Sequence, residues 1–276
     1  MNQLASELAD DLDSPSGSPA QPWPYPLWLA HRGAGRLAPE NTLAALRVGA
    51  SHGWRAFECD VKLSSDGLPF LLHDDTLDRT TDAAGSPNDL SWSDIARLDA
   101  GSWHGRTFAG EPPASLEAVA AYCLRNGLAL NIEIKPVPGD EARTGQVVAQ
   151  TVRHLWGAAV HAGRSAWPLL SSFTPEALAA AHAAAPELPR ALLLDTLWTD
   201  WLPVAERLEC VAIVLNHHLI DARLMQQLGD ENLRVLAYTV NDPAEAQRLL
   251  DLGVDGLISD AVDQFSPALR NIPSQD

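Results

Sequence analysis

Three acidic residues lie in two short segments that have the composition of β-strands. Glu58 and Asp60 belong to the segment FECDVK, and Glu133 belongs to LNIEIK. Because successive side chains of a strand point to opposite faces, Glu58 and Asp60 share one face of their strand. On the other strand, Glu133 shares a face with Asn131 and Lys135. Three carboxylates are therefore expected to converge in the interior of the fold.

Buried carboxylates of this kind need a compensating charge, because an unpaired ionised group is costly in an apolar interior. A bound divalent cation would provide that charge, and carboxylate oxygens favour the hard cations Mg²⁺ and Ca²⁺. The alternative is a structural network of ion pairs in which Lys62 and Lys135 neutralise Glu58 and Asp60. The residues favour the cation site over this network.

Two histidines and an arginine are expected beside these carboxylates. His31 and Arg32 directly follow the first strand-like segment, and His73 ends the segment 68–73, which should pair with the strand of Glu58. An imidazole can transfer protons near neutral pH, and a guanidinium can bind a phosphate through two parallel hydrogen bonds. Two imidazoles beside three carboxylates indicate an active site more strongly than any single histidine would.

Four further residues are candidates for supporting or binding roles. Glu40 and Asn41 open the first predicted helix, where Asn41 is a plausible N-cap and Glu40 lies close to the site. Simple helix initiation is the alternative interpretation of this pair. Phe173 and Tyr238, which lie at the ends of two later strands, are candidates for lining a substrate pocket, although aromatic residues at such positions often serve only in packing.

The elements that position these residues alternate along the chain from Leu27 onward, because short β-rich apolar runs are followed by stretches of helical period. This alternation is typical of a parallel sheet covered by helices. The length of 276 residues is close to the roughly 250 of a (β/α)8 barrel, whose active sites lie at the C-terminal ends of the strands. We therefore predict an α/β fold, a (β/α)8 TIM barrel. Its strands are expected at residues 27–30, 56–61, 128–134, 169–172, 191–194, 211–215, 234–238 and 256–259, and helices at 42–51, 115–125, 141–155, 175–184, 222–228 and 243–252.

A long connection between the second and third barrel strands interrupts the pattern. A small insertion is predicted at about residues 66–114, and the extra strand at 68–73 should pair with the second strand across the turn Asp66-Gly67. Residues 1–25 are acidic and then rich in Ser and Pro, which predicts a flexible tail, because such a segment buries too little apolar surface to become ordered. Residues 26–276 are predicted to form the barrel domain.

Composition restricts the partners and the location of the protein. A formal net charge of −17 would repel nucleic acid and anionic lipid, so neither nucleic acid nor a membrane is expected as a partner. Three widely spaced cysteines provide neither a disulfide framework nor a zinc site. No secretory signal and no apolar run of membrane-spanning length is visible, which predicts a cytoplasmic protein. A homo-oligomer is left open.

At these residues the sequence resembles the glycerophosphodiester phosphodiesterase family. The blocks AHRGAGRLAPENT, FECDVKLSSDGLPFLLHDDTLDRTT, NIEIKP, LLSSF, YTVND and GVDGLISD match the family in order between Leu27 and Asp260. The chain looks most like the bacterial cytoplasmic branch. The resemblance implies hydrolysis of small-molecule glycerophosphodiesters, such as glycerophosphocholine and glycerophosphoethanolamine, to sn-glycerol 3-phosphate and an alcohol.

The resemblance also implies roles for the candidate residues. Glu58, Asp60 and Glu133 would hold one divalent cation, Mg²⁺ or Ca²⁺. His31 and His73 would act as acid and base, and which histidine takes which role stays open. Either water or the 2-hydroxyl of the glycerol, through a cyclic phosphate, remains a candidate nucleophile.

For the phosphate itself, the resemblance implies contacts with Arg32 and Lys135, and it gives Glu40 a supporting position. The insertion is a feature of the family, whereas the acidic tail has no counterpart in the family core. Two alternatives compete with this interpretation. A phospholipase-like barrel acting on intact lipid would need an apolar or basic rim, and a catalytically inactive binding barrel would be expected to lack one of the histidines or metal ligands, none of which is missing.

Overall fold

Nine β-strands form one sheet in the computed structural model, which describes residues 23–268. The strands are β1 (Trp28–Ala30), β2 (Ala56–Leu63), β3 (Pro69–Leu71), β4 (Ala129–Ile134), β5 (Leu169–Ser172), β6 (Arg190–Leu194), β7 (Ala212–Asn216), β8 (Arg234–Tyr238) and β9 (Gly256–Ser259). Eight of them are parallel neighbours, and pairing of β1 with both β2 and β9 closes them into a barrel. The predicted (β/α)8 barrel is confirmed.

Helices cover the outside of the barrel and lie between successive strands. They are α1 (Leu43–Ser51), α3 (Leu116–Asn126), α4 (Glu141–His161), α5 (Pro175–Ala184), α6 (Trp201–Arg207), α7 (Ala222–Asp230) and α8 (Pro243–Leu252), whereas the short helix α2 (Trp92–Ile95) lies in the insertion after β3. Helices α5 and α8 have the bounds expected from the sequence, whereas α4 continues beyond the predicted residue 155 to His161. Helix α6 was not predicted, because a proline at its third position, Pro203, is normally a sign of helix breaking.

The N-cap of α1 is Thr42, so the expectation that Asn41 caps this helix is wrong. Oγ1 of Thr42 accepts a hydrogen bond from the backbone N–H of Ala45 at 3.1 Å. Asn41 instead has a φ of 59°, and its side chain points to Asp60 inside the barrel. Thr42 caps the helix, and Asn41 instead hydrogen-bonds with the buried carboxylate of Asp60.

Apolar residues on the two faces of the strands form two parts of the core. On β2, Phe57, Cys59 and Val61 pack toward the helices, whereas Ala56 joins the apolar cluster inside the barrel. The inner cluster consists of Leu29, Ala56, Leu169, Ala191, Leu193, Ala212, Val214, Leu236 and Ile258. Polar side chains replace these apolar ones toward the C-terminal ends of β2 and β4. The interior of the barrel is therefore apolar in its lower part and polar at the mouth, where the strands have their C-terminal ends.

The insertion between β2 and α3 carries its own small core. Strand β3 is antiparallel to β2, with Val61 opposite Leu71, and the turn between them contains Gly67 at a φ of 81°, a conformation that favours glycine. A separate apolar cluster consists of Phe70, Leu72, Leu77 and Ile95, the last of which belongs to α2. The predicted extra strand and insertion are thus present beside the mouth of the barrel.

The N-terminal tail expected at residues 1–25 falls largely outside the described residues. Of its last residues, Trp23 and Tyr25 pack against the inner cluster, and the Tyr25 hydroxyl donates a hydrogen bond to the Trp167 carbonyl at 2.8 Å. Between residues 23 and 268, no helix combines the length and the apolar character that crossing a membrane requires.

Candidate active site

The three predicted carboxylates meet at the mouth of the barrel. Glu58 and Asp60 project from β2 and Glu133 from β4, and the register of these strands places Asp60 beside Glu133. All three residues are buried, and one oxygen of each lies within 4.8 Å of an oxygen of the other two. The alternation of side chains expected from the sequence therefore brings them together.

This crowding changes the proton affinity of the carboxylates. Burial, together with the adjacent charge of Asp60, raises the pKa of Glu58 to about 8 and that of Glu133 to about 7. Burial would also raise the pKa of Asp60, but the positive charges of Arg32 and Lys135 outweigh it and hold that pKa below its ordinary value. The basic side chains of the protein thus stabilise the ionised form of Asp60, whereas the negative charges of Glu58 and Glu133 are not fully offset.

The donor set fits a divalent cation of the hard class. Oε1 of Glu58 is buried without a hydrogen-bond partner among the described residues, and so is Oδ1 of Asn131, which lies opposite Glu58 in the β2–β4 pairing. Oxygen atoms of this kind are the ligands that Mg²⁺ and Ca²⁺ prefer. Glu58, Asp60 and Glu133 can hold such an ion, and its charge would offset the costly clustering of carboxylates.

The alternative ion network is present only in part. Nζ of Lys62 contacts Asp75 at 2.8 Å and the Lys135 carbonyl at 3.1 Å, rather than Glu58 or Asp60. Nζ of Lys135 lies 2.9 Å from Oε1 of Glu133 and 3.7 Å from Oδ1 of Asp60. Lys135 is therefore at the mouth as predicted, whereas Glu58 receives no lysine.

His31 lies on the loop directly after β1, and its ring is between two carboxylates, one facing each ring nitrogen. Its Nδ1 is 2.6 Å from Oδ1 of Asp260, and its Nε2 is 3.7 Å from Oε2 of Glu58. Burial would lower the pKa of His31, but the two carboxylates raise it above the ordinary value. The loop can pass this close to Asp260 because Gly35 has no side chain. A Cβ at this position would collide with the Asp260 backbone.

His73 follows β3 and approaches the same carboxylates from the insertion. Its Nδ1 lies 2.6 Å from Oδ1 of Asp74. Burial lowers the pKa of His73, and the attraction of Asp60 and Asp74 only partly opposes this effect. Each of the two histidines therefore has a carboxylate at Nδ1, and Nε2 of His31 faces the carboxylate cluster at Glu58.

Arg32 lies between the carboxylates and the insertion. Its backbone N–H donates to Oε2 of Glu58 at 3.1 Å, and its Nη1 donates to Oε1 of Glu40 at 2.8 Å. Nε of Arg32 is 3.3 Å from Oδ2 of Asp60. The side chain of Asn41 forms two hydrogen bonds with Asp60. Nδ2 of Asn41 donates to Oδ2 of Asp60 at 2.7 Å, and Oδ1 of Asn41 accepts from the backbone N–H of Asp60 at 3.0 Å. Glu40 thus contacts Arg32, and Asn41 contacts Asp60.

A residue that the sequence analysis did not single out, Arg79, joins these groups from the insertion. Its guanidinium donates to both oxygens of Glu40 at 2.7 Å and to both oxygens of Asp74 at 2.6 and 2.9 Å. A continuous series of contacts therefore runs from Arg32 through Glu40, Arg79 and Asp74 to His73. A signal for Asp74 was available, since it follows His73 directly, but no spacing in the sequence pointed to Arg79.

The predicted aromatic residues also reach the mouth. The rings of Phe173 and Tyr238 are edge-to-face with centroids 6.0 Å apart, and Nζ of Lys135 lies 5.8 Å from the Phe173 ring. They line a cavity of about 170 Å³ that also includes His31, Arg32 and Glu133. Asp260 is a site residue that the sequence analysis gave no role, and its position at the C-terminal end of β9 was the available signal.

The barrel and the groups at its mouth define a hydrolase-type site with room for a small anionic substrate and a cation. Residues 31–264 match the model of the glycerophosphoryl diester phosphodiesterase family. The chain therefore belongs to the glycerophosphoryl diester phosphodiesterase family, a family of enzymes. The family and the enzyme class predicted from the sequence are confirmed.

Individual relatives agree with this assignment. The chain is 30% identical to a glycerophosphodiester phosphodiesterase of Caldanaerobacter subterraneus subsp. tengcongensis, over 85% of this chain and 93% of that protein. Among solved structures, it is similar to an Oleispira antarctica phosphodiesterase in complex with the product sn-glycerol-3-phosphate, with 32% identity, a TM-score of 0.78, and coverage of 86% and 94% of the two chains. A glycerophosphodiester phosphodiesterase from Agrobacterium tumefaciens has 29% identity and a TM-score of 0.71, covering 86% and 97%.

Proposed function

We propose that the protein hydrolyses glycerophosphodiesters, including glycerophosphocholine and glycerophosphoethanolamine, to sn-glycerol 3-phosphate and the free alcohol. Family membership supports the phosphodiesterase activity, and the Oleispira relative binds sn-glycerol-3-phosphate. The observation that carries the proposal is the convergence of Glu58, Asp60 and Glu133 with two carboxylate-linked imidazoles. A cytoplasmic location remains a prediction from the sequence.

Positive charge for the substrate comes from two sources at the mouth. Arg32 and Lys135 are proposed to contact the phosphate, and both already face the carboxylates. A divalent cation bound by Glu58, Asp60 and Glu133, Mg²⁺ or Ca²⁺, would supply further charge to stabilise the phosphate oxygens as they become more negative. An acidic protein could bind an anion at this point because Arg32, Lys135 and a bound cation would together supply local positive charge.

Proton transfer is proposed for the two imidazoles. A carboxylate at Nδ1 orients each ring and stabilises it when it carries a proton, as in other histidine–carboxylate pairs. One Nε2 then takes the proton of the nucleophile, and the other gives a proton to the departing alkoxide. If water is the nucleophile, its oxygen forms the new bond to phosphorus as the bond between phosphorus and the alcohol oxygen breaks, and the products are sn-glycerol 3-phosphate and the alcohol. If the 2-hydroxyl attacks, the alcohol leaves first and a cyclic phosphate forms, which water then opens to sn-glycerol 3-phosphate. Both assignments of acid and base fit the contacts of His31 and His73.

The glycerol half is proposed to occupy the cavity beside Phe173 and Tyr238. Its volume of about 170 Å³ suits a group the size of glycerol. The two aromatic rings provide an apolar wall, and Lys135 lies at the boundary between this cavity and the carboxylates.

Broad tolerance for the alcohol half is the expected result of a substrate panel. The residues proposed to recognise the substrate contact its phosphate and its glycerol half, which these substrates share. Glycerophosphocholine and glycerophosphoethanolamine should therefore both be hydrolysed, with kcat/KM values within about tenfold of each other. The measurement is release of sn-glycerol 3-phosphate at saturating Mg²⁺ or Ca²⁺. Release from one head group alone would contradict this prediction.

A further inference from the structure

Two cavities meet at the phosphate-binding end of the site. The inner cavity, of about 170 Å³, runs from His31 and Arg32 toward Phe173 and Tyr238. An outer groove of about 470 Å³ starts at the same His31 and Arg32 and runs outward beneath the insertion, past Trp103. A phosphodiester carries two ester arms on one phosphorus, so two cavities that diverge from the phosphate site match its shape.

Trp103 forms a fixed wall of the outer groove. Its Nε1 donates a hydrogen bond to the Ala100 carbonyl at 2.8 Å, and its ring is edge-to-face with His104, with centroids 5.5 Å apart. His104 is itself held by a contact of 3.1 Å between its Nε2 and the Arg36 carbonyl. The indole is nevertheless 41% exposed. A large apolar surface is thus held open to solvent beside the reacting groups.

We propose that the outer groove binds the alcohol arm of the substrate and that Trp103 contacts its head group. This inference rests on the proposed function. The smaller inner cavity suits the constant glycerol arm, whereas the larger and more open groove suits alcohols of different size. An indole face attracts methyl groups by dispersion and an ammonium group by cation–π interaction.

The positive and negative charges around the groove are close to balanced. The attraction for a head group is therefore expected from the indole ring of Trp103 rather than from a net electrostatic field. Asp260 is paired with His31, and Glu40 is paired with two arginines. Arg36 at the wall opposes a cationic head group. A bulky, methylated head group should therefore gain more from Trp103 than a small alcohol does.

A two-substrate comparison tests this assignment. The substrates are glycerophosphocholine and the methyl ester of sn-glycerol 3-phosphate, and the readout is the ratio of their kcat/KM values. Trp103→Leu is expected to lower this ratio by about tenfold, in the range of a cation–π contact. Trp103→Phe, which keeps an aromatic face, should restore most of the ratio. Phe173→Leu is the matched control, because loss of a contact to the shared glycerol arm should reduce both values alike.

An unchanged ratio in Trp103→Leu, or the same ratio change in Phe173→Leu, would overturn the proposed subsite. The wild-type protein separates this failure from that of the proposed function. If it hydrolyses both substrates, the activity stands whatever the ratio shows.

A second inference concerns Arg79, and it depends on hydrogen bonds rather than on cavities. Its guanidinium forms two bidentate pairs, with Asp74 and with Glu40. Asp74 in turn contacts Nδ1 of His73, and Glu40 contacts Arg32. Residue 79 lies in the insertion and Glu40 in the loop after β1, so this one side chain joins the two loops beside the active site, while His104 and Arg36 join them at a second point.

We infer that Arg79 is a positioning residue that sets the geometry of His73 through Asp74 and of Arg32 through Glu40. Only a planar group with five donors can serve both carboxylates in this way, so lysine cannot replace it. Burial would raise the pKa of Glu40, but the two arginines hold it below its ordinary value. Arg79 is 44% exposed, so a small guanidinium ion can reach the space that a truncated side chain leaves.

Kinetics of Arg79 variants test this role. Arg79→Ala and Arg79→Lys are expected to lower kcat by about tenfold, and millimolar guanidinium should restore part of the kcat of Arg79→Ala. The double variant Arg79→Ala/Asp74→Asn should lose little more than the single variants, because residues that act as one unit are not additive. Arg97→Ala is the matched control, since this insertion arginine is 72% exposed and only approaches Asp94 at 3.6 Å.

Full activity of Arg79→Lys, absence of guanidinium rescue, or additive losses in the double variant would each contradict the inference. An arginine that only stabilised the fold would lower the thermal stability of Arg79→Ala and leave the kcat of the folded protein unchanged.

Discussion

Replacement of either His31 or His73 by alanine is expected to lower kcat by roughly 10²-fold or more, in line with the contribution of general acid-base catalysis. The metal affinity should change little, because the ligand candidates are the carboxylates of β2 and β4 and not the imidazoles. Each imidazole is bound at Nδ1 by its own carboxylate, Asp260 or Asp74. Removal of a ring should therefore abolish a proton transfer without removing a ligand.

Steady-state kinetics with a metal titration checks this prediction, and a histidine outside the mouth provides the control. His182 on α5 also approaches a carboxylate, with its Nε2 3.4 Å from Glu209, so His182→Ala should keep wild-type kcat. Near-normal turnover in both His31→Ala and His73→Ala would contradict the proposed acid-base mechanism.

Removal of the divalent cation is expected to lower turnover by about 10³-fold or more, because the charge that a metal supplies to a phosphoryl transition state is worth several kcal/mol. The protein should stay folded. The apolar clusters inside the barrel and beneath the helices do not involve the cation ligands, and without the cation the raised pKa values of Glu58 and Glu133 allow these carboxylates to take up protons.

Two readouts are needed for this prediction. After treatment with EDTA, the rate of glycerophosphocholine hydrolysis should fall and return with Mg²⁺ or Ca²⁺, while the circular dichroism spectrum should be unchanged. Glu58→Ala and Asp60→Ala should raise the cation concentration for half-maximal turnover by at least about tenfold. Hydrolysis at the full rate by metal-free protein would show that the carboxylate cluster is not a catalytic metal site.

The strands and the carboxylate cluster were predictable because they depend on local periodicity. On β2, the period of two places Glu58 and Asp60 inward, and the structure has that arrangement. The eight barrel strands were expected within one or two residues of their observed bounds, since short apolar runs between helical stretches identify buried parallel strands.

The long-range pairings that orient the site could not be predicted, because their members come from distant parts of the chain. Asp260 lies 229 positions from His31, and Arg79 lies 39 positions from Glu40. Only closure of the barrel brings β9 beside β1, and only the path of the insertion brings Arg79 over the first loop. The inward turn of Asn41 was missed for a related reason, since its choice of partner depends on Asp60 rather than on the helix that follows.

The regiochemistry of hydrolysis tests the central claim most directly. Phosphorus NMR of glycerophosphocholine incubated with the purified protein and Mg²⁺ or Ca²⁺ distinguishes cleavage on the two sides of the phosphate. The proposed site predicts that the substrate resonance is replaced by that of sn-glycerol 3-phosphate, with free choline released. Formation of phosphocholine and glycerol, or an unchanged substrate resonance with every divalent cation tried, would contradict the account.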